Sequence, residues 1–287
     1  MSKKIVLITG TNSGFGWLTA NSAAGLGHKV YAAMRDINGK NADKAAALSL
    51  VENITVLDVS LTDEASVKNA IDTIIAKEGA IDVLVNNAGL TLFGVAESGT
   101  TADLQRTFDV NVIAPWMLMK LVLPFMRKKS EGLIINVTSG YGRFSAPFFA
   151  MYSASKFALE GLSEGLHYEV RPLGIDVALI QPGGFPTEMA QKIQTGSDAS
   201  VFDEYGVLAK FPEKMFSAMG QMFETIKPNP QEVADAVIKL IELPQGARPL
   251  RTVVDPALGE ITKGANDAVQ LAYDQILKAY GLEELLK

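Results

Sequence analysis

Tyr152 and Lys156 stand four positions apart in the run Tyr152-Ser153-Ala154-Ser155-Lys156, within a stretch, Met151 to Val170, whose pattern predicts a helix. At that spacing two side chains share one helix face, one turn apart. The pairing has a chemical use. A free phenol titrates near 10, and a neighbouring ammonium favours the phenolate and draws that value toward neutrality. Such a pair could give a proton to a substrate oxygen or take one from it. No other of the 7 tyrosines has a lysine four residues on. Ser139, just past a predicted strand from Leu133 to Val137, offers a hydroxyl to hold the same oxygen; standing alone, it would read as a turn serine. Asn111 falls within a predicted long helix, Ala102 to Lys129, where asparagine has no propensity advantage. An exposed polar position would account for it equally well.

These residues need a scaffold. Short β-branched runs alternate with longer amphipathic stretches: strands at Ile5 to Ile8, Val30 to Ala33, Ile54 to Leu57, Val83 to Val85, Leu133 to Val137 and Ile175 to Ile180. Helices are expected at Phe15 to Leu26 and at Leu61 to Lys77, the second capped by Thr62. The strands are continuously apolar, which marks a sheet covered on both faces. Alternation of strand and helix implies right-handed crossovers and an α/β fold with a doubly wound parallel sheet. Strand ends in such sheets are where ligands bind, so Ser139 is expected in the crevice.

The segment Thr9 to Gly16, TGTNSGFG, joins the first strand to the first helix. Glycines there let the chain turn sharply and approach a diphosphate, and the helix start offers free N–H groups to the anion. Tight strand–helix packing alone would also call for glycine. The spacing is Gly10, Gly14, Gly16, a Gly-x-x-x-Gly-x-Gly pattern.

With that spacing, the chain resembles the short-chain dehydrogenase/reductase family in its single-domain branch. The resemblance rests on TGTNSGFG, Asp58-Val59, Asn86-Asn87-Ala88-Gly89, Asn111, Ser139, the Tyr152–Lys156 run and Pro182-Gly183 with Thr187, in that order. It implies a single Rossmann-type domain over 1–287, with a substrate flap at about 187–230 and a C-terminal helical extension at about 256–287. It also implies an oxidoreductase with Asn111, Ser139, Tyr152 and Lys156 as catalytic residues. Tyr152 would exchange the proton, Ser139 would orient the oxygen, Lys156 would tune Tyr152 and hold the nicotinamide ribose, and Asn111 would hold a water that refills the proton. Cofactor contacts carried over are Gly10, Asn12, Ser13, Gly14, Phe15, Gly16, Asp58, Val59, Asn86, Ala88, Gly89, Tyr152, Lys156, Pro182, Gly183, Phe185 and Thr187. The family associates through its long helices, so a homodimer or homotetramer is expected.

The second strand ends beside the adenosine ribose, where an acid selects NAD and a cation accommodates the extra phosphate of NADP. The family's NAD-type acid would fall at Met34, which cannot serve, and Arg35 follows with a planar fork suited to phosphate. NADP(H) is therefore expected over NAD(H). Asp36 stands against this, at about the distance from the glycines where the general fingerprint places its acid.

Phe144, Phe148 and Phe149 precede Tyr152, and Met189, Phe202, Tyr205, Phe211, Met215, Phe216, Met219, Met222 and Phe223 populate the flap. An apolar ketone, aldehyde or alcohol is the expected substrate, unless these side chains only pack the flap onto its own domain. The run Val30 to Asp36 and the long flap are similar to the hydroxysteroid- and retinol-dehydrogenase branch. Two other readings use the same fold: a nucleotide-binding regulator without turnover, and an epimerase or dehydratase of sugar nucleotides.

Composition excludes other classes. The chain of 287 residues has no cysteine, hence no thiolate nucleophile or zinc–thiolate site. Only His28 and His167 could supply imidazole, and they read as surface or helix-side residues, so no metal site is expected. A net charge of −6 gives no basic face for nucleic acid. The greasiest run, Val112 to Met126, holds Pro115, Lys120 and Pro124 and falls short of the roughly 20 residues of a membrane span. No signal peptide is apparent, and a cytoplasmic location is expected.

Overall fold

The computed structural model describes residues 3–188, 193–198 and 200–286. Its centre is a sheet of seven parallel strands: β1 (Ile5–Thr9), β2 (Lys29–Met34), β3 (Ile54–Asp58), β4 (Val83–Asn86), β6 (Gly132–Val137), β7 (Ile175–Pro182) and β9 (Arg251–Val254). Their spatial order is β3-β2-β1-β4-β6-β7-β9. Two short strands, β5 (Leu92–Phe93) and β8 (Gln194–Thr195), pair separately. The order reverses between β1 and β4, which opens a crevice at the carboxyl ends of those strands.

Alternation along each strand sends side chains to two cores. Val6, Ile8, Val30, Val83, Ile135 and Ile180 pack under α1 (Gly14–Gly25), α2 (Ala42–Ser49) and α9 (Gln231–Glu242). Leu7, Leu84, Ile134 and Val177 pack under α3 (Glu64–Glu78), α5 (Ala114–Lys129) and α6 (Ala150–Val170). The continuously apolar strands are thus covered on both faces, as their sequence implied.

Four local expectations change. The cap of α3 is Asp63, whose carboxylate accepts from the N–H groups of Ala65 and Ser66; Thr62 lies one residue too early. α2 was not evident from the sequence, because its run of alanines carries little apolar periodicity. His28 and His167, expected as surface or helix-side residues, are both buried, His167 on the helix α6. His28 Nε2 meets Glu242 at 2.9 Å, and His167 Nδ1 meets the Val177 carbonyl at 3.0 Å, so each ring has the polar partner that burial requires. Finally, the long helix is not uniform: α4 (Thr101–Phe108) and α5 are joined by a π turn at Asp109–Ile113. The whole of Thr101–Lys129 is long and apolar enough to cross a membrane by length and composition. Here its Leu118, Met119, Val122 and Met126 are core residues against the sheet.

Beyond β7, the described part of 187–230 contains β8, α7 (Ser200–Glu204) and α8 (Phe211–Ile226). Met189 and Ala199 of the expected flap lie outside the described residues. After β9 comes α10 (Gly259–Ala279), the expected C-terminal helix.

Candidate active site

The turn after β1 leaves no room for a side chain at Gly10 or Gly16. Gly10 has φ +70°, and a Cβ there would come 2.8 Å from the Ala88 Cα. At Gly16 a Cβ would come 2.4 Å from both the Gly10 carbonyl oxygen and Asn87 Nδ2. Gly14, at φ +55°, faces Thr187. The start of α1 is left open: Ser13 makes no side-chain cap, and the first turn carries no acid. Free N–H groups and an unopposed positive helix end fit a diphosphate. A cavity of about 230 Å³ opens there, lined by Ser13, Gly14, Trp17, Lys44 and Thr187 among others. The residues present therefore fit a dinucleotide.

Around the end of β2, Met34 is buried and Arg35 is exposed, its guanidinium engaging no acceptor among the described residues. Asp36 takes φ +55°, and its carboxylate folds back to accept the Lys40 N–H at 2.8 Å. That carboxylate closes the turn at Gly39, where any Cβ would strike it at 2.3 Å. Asp58 accepts the Asp36 N–H at 2.8 Å, and the Val59 N–H donates to the Met34 carbonyl. Asn12 donates to Asn41 Oδ1 at 3.3 Å.

At the ends of β4 and β6, the structure brings Asn111, Ser139, Tyr152 and Lys156 together. The Lys156 Nζ donates to the Val137 carbonyl at 3.0 Å and lies 5.7 Å from the centroid of the Tyr152 ring. Ser139 stands beside the Tyr152 phenol, where its hydroxyl favours the phenolate, and its Oγ accepts the Tyr141 N–H at 3.1 Å. Asn111 is fully buried in the π turn. Its Nδ2 donates to the Leu90 carbonyl at 2.9 Å and to Ser155 Oγ at 3.0 Å, and its Oδ1 accepts the Leu90 N–H at 2.9 Å. The extra residue of the π turn is what turns this amide toward the Gly89–Leu90 segment. Gly89 is the hub, since a Cβ there would sit 3.3 Å from Asn111 Oδ1 and 3.7 Å from Lys156 Nζ.

Burial governs the titration of the pair. It pushes the Tyr152 phenol up to about 12, against the hydrogen bond from Ser139, and draws the Lys156 ammonium down to about 8. The sequence had suggested a phenol lowered by its lysine. Instead, desolvation of the phenolate outweighs an ammonium that is itself desolvated and committed to Val137. At neutral pH the phenol is protonated and the lysine charged, the states a proton donor and its supporting cation need.

The segment after β7 completes the crevice. The Gly183 N–H donates to Val254, and a Cβ at Gly183 would come 2.1 Å from the Asp255 carboxyl carbon. Phe185 meets Phe15 edge-on at 5.6 Å, and the Thr187 N–H donates to the Phe185 carbonyl. Pro182 ends β7 in register with Val254.

A sequence model described as short chain dehydrogenase matches residues 4–198. The chain belongs to the short-chain dehydrogenase family. A 3-ketodihydrosphingosine reductase of Bacteroides thetaiotaomicron is 35% identical over 260 residues, covering 89% of each chain. Human retinol dehydrogenase 8 is 34% identical over 244 residues, 83% of this chain and 78% of that one. Among solved structures, ElxO with NADP bound superposes with a TM-score of 0.73 at 28% identity, covering 89% of this chain and 98% of the other.

Within this short-chain dehydrogenase, the twin asparagines at the end of β4 face opposite ways. Asn86, expected to line the cofactor, has a buried side chain that donates to Asn136 Oδ1 at 2.7 Å, linking β4 to β6. The neighbouring Asn87 holds the glycine turn instead: its Nδ2 donates to the carbonyls of Thr9 and Gly10 at 2.9 and 3.2 Å. A twin asparagine at a strand end alternates faces, and period-two reasoning applied to Asn86-Asn87 would have separated them. Tyr141 was also missed; its ring meets Tyr152 edge-on at 6.5 Å and Phe149 at 5.3 Å. Ser155, inside the Tyr–Lys run, anchors Asn111 while donating to the Tyr152 carbonyl at 2.7 Å.

Proposed function

We propose that this short-chain dehydrogenase interconverts a ketone or aldehyde with its alcohol, using NADP(H), on a bulky apolar substrate. The observation that carries this reading is the grouping of Ser139 and Tyr152 over a buried Lys156, beside an open, uncapped glycine turn. When bound at that turn, the nicotinamide supplies hydride chemistry. Tyr152 holds the proton for the substrate oxygen, Ser139 orients that oxygen, and Lys156 keeps a positive charge beneath the phenol. Asn111 fixes the Leu90 backbone next to Lys156.

NADP is favoured by the free guanidinium of Arg35 and by the commitment of the Asp36 carboxylate to its own turn. The NADP-bound relative ElxO supports the same preference. A bulky apolar substrate is supported by the aromatic side chains Phe93, Tyr141 and Phe149 around Tyr152. Over them, α8 turns a half-buried stripe of Met215, Met219, Met222 and Phe223 inward, with Phe223 and Met219 against Gly184. We take this segment as the substrate flap. Relatives named as a 3-ketodihydrosphingosine reductase and a retinol dehydrogenase agree with that polarity. Exposed Ile113, Trp116, Phe157 and Leu162 on α5, α6 and the turn before α5 support association through these helices.

The test is to mix the protein with NADPH and ketones of increasing bulk and follow nicotinamide absorbance. Turnover that improves with apolar bulk supports the proposal. Tight NADPH binding without turnover of any ketone, aldehyde or alcohol would instead make the protein a nucleotide-binding regulator.

A further inference from the structure

Glu160 lies one helical turn beyond Lys156 on α6 and is 1% exposed. A lone buried carboxylate is costly, and this one is met from the residue that follows β6 and from β7 and β9. Thr138 Oγ1 donates to its Oε1 at 2.7 Å, Gln181 Nε2 to the same oxygen at 2.9 Å, and Arg251 Nε to Oε2 at 2.9 Å. The turn after Ser139 rests on it as well, because a Cβ at Gly142 would come 2.9 Å from Glu160 Cγ. None of the proton-transfer chemistry assigned above uses this residue.

We propose that Glu160 is a positioning residue for the Ser139–Tyr152–Lys156 site: it clamps the strand end bearing Val137 and Ser139 onto the helix turn bearing Lys156, and its buried charge keeps Lys156 an ammonium. The inference rests on the dehydrogenase reading of that site. Its geometric half follows from two adjacent bonds. Lys156 donates to the Val137 carbonyl and the next residue, Thr138, donates to Glu160, so one helix face holds one strand end twice. Its electrostatic half follows from geometry: Lys156 and Glu160 stand one turn apart on the same helix face and are both buried, so the carboxylate faces the ammonium through little water and opposes the fall that burial imposes on it. The other charges packed around the pair are Arg143 from the turn after β6, Arg251 from β9 and Glu164 from the next turn of α6. Tyr141 and Tyr152 are protonated phenols at neutral pH, and α10 contributes the uncharged Thr262 and Asn266.

Three variants of the full chain separate the two halves. Glu160→Gln keeps the size and an acceptor for Thr138 but removes the charge; Arg251→Gln removes a neutralising cation; Thr138→Val removes the clamp and leaves the charge. Carbonyl reduction with NADPH is followed between about pH 6 and about pH 10, with NADPH affinity titrated by fluorescence over the same range as a readout independent of turnover. The alkaline midpoint is expected to fall by about one pH unit in Glu160→Gln and to rise in Arg251→Gln. Thr138→Val is expected to lower the plateau about tenfold with its midpoint in place. Midpoints unmoved in the two charge variants overturn the electrostatic assignment, and an unmoved plateau in Thr138→Val overturns the clamp. Should Glu160→Gln fail to fold, the direction of the Arg251→Gln shift decides alone. A wild type that binds NADPH but reduces no carbonyl defeats the functional reading, while its binding midpoints still decide the role of Glu160.

Discussion

The ammonium of Lys156 donates to the carbonyl of Val137, two residues before Ser139 in the chain. This bond ties the helix carrying Tyr152, the proposed proton-transfer phenol, to the strand end that leads to Ser139, the hydroxyl proposed to orient substrate oxygen. It also spends one of the lysine's three donors in a buried setting, where a free ammonium would be costly.

The pH dependence follows from that burial. In the proposed reaction, ketone reduction needs the Tyr152 phenol protonated and Lys156 charged. Both hold at neutral pH, and the lysine is lost first, near pH 8. Reduction is expected to be flat below about pH 7 and to fall as pH rises through about 8. A rate profile at saturating NADPH checks this. Reduction that climbs steadily past pH 9 would contradict the order of the two titrations.

Cofactor preference turns on Arg35. Arg35→Ala is expected to weaken NADPH by roughly tenfold to hundredfold, the worth of about 1.5–3 kcal/mol for a charged hydrogen bond, and to leave NADH nearly unchanged. Paired fluorescence titrations measure the ratio. An unchanged ratio would remove the phosphate assignment.

Gly16 tests the turn. A methyl group there would meet the Gly10 carbonyl oxygen at 2.4 Å, a contact that only a backbone shift relieves. Gly16→Ala is expected to cost about 1–3 kcal/mol of stability and to weaken NADPH binding. Thermal unfolding and cofactor titration of one preparation report both effects.

Asn111 tests the π turn. Asn111→Leu strands the Leu90 N–H and carbonyl in a partly buried site, each worth up to about 1–3 kcal/mol when unpaired. Lower thermal stability together with slower turnover is expected. Lower turnover at unchanged stability would mean that Asn111 does not hold Leu90 as described.

The sheet and the crevice were legible in the sequence because both rest on local signals. Apolar strand runs and the glycine turn between β1 and α1 are readable without tertiary context. Apart from the family resemblance, Asn111 was legible only as an oddity, a polar residue in an apolar helix, because a π turn has no sequence signature. Glu160 was invisible for another reason: on sequence alone an acid on a helix reads as solvated, and only the convergence of Thr138, Gln181 and Arg251 reveals it as buried. The lysine's effect on the phenol was misjudged because a spacing reveals proximity and says nothing of desolvation. Asp36 is the converse case, an acid near the expected ribose position whose left-handed backbone and bond to Lys40 give it other work.

The most direct measurement is turnover and cofactor binding by Tyr152→Phe, which removes one hydroxyl and keeps the ring packed against Tyr141 and Phe149. Loss of about 10²–10⁴ in carbonyl reduction with NADPH affinity nearly intact is the expected result. A Tyr152→Phe enzyme that reduces carbonyls at the wild-type rate would contradict the assignment of the proton to Tyr152.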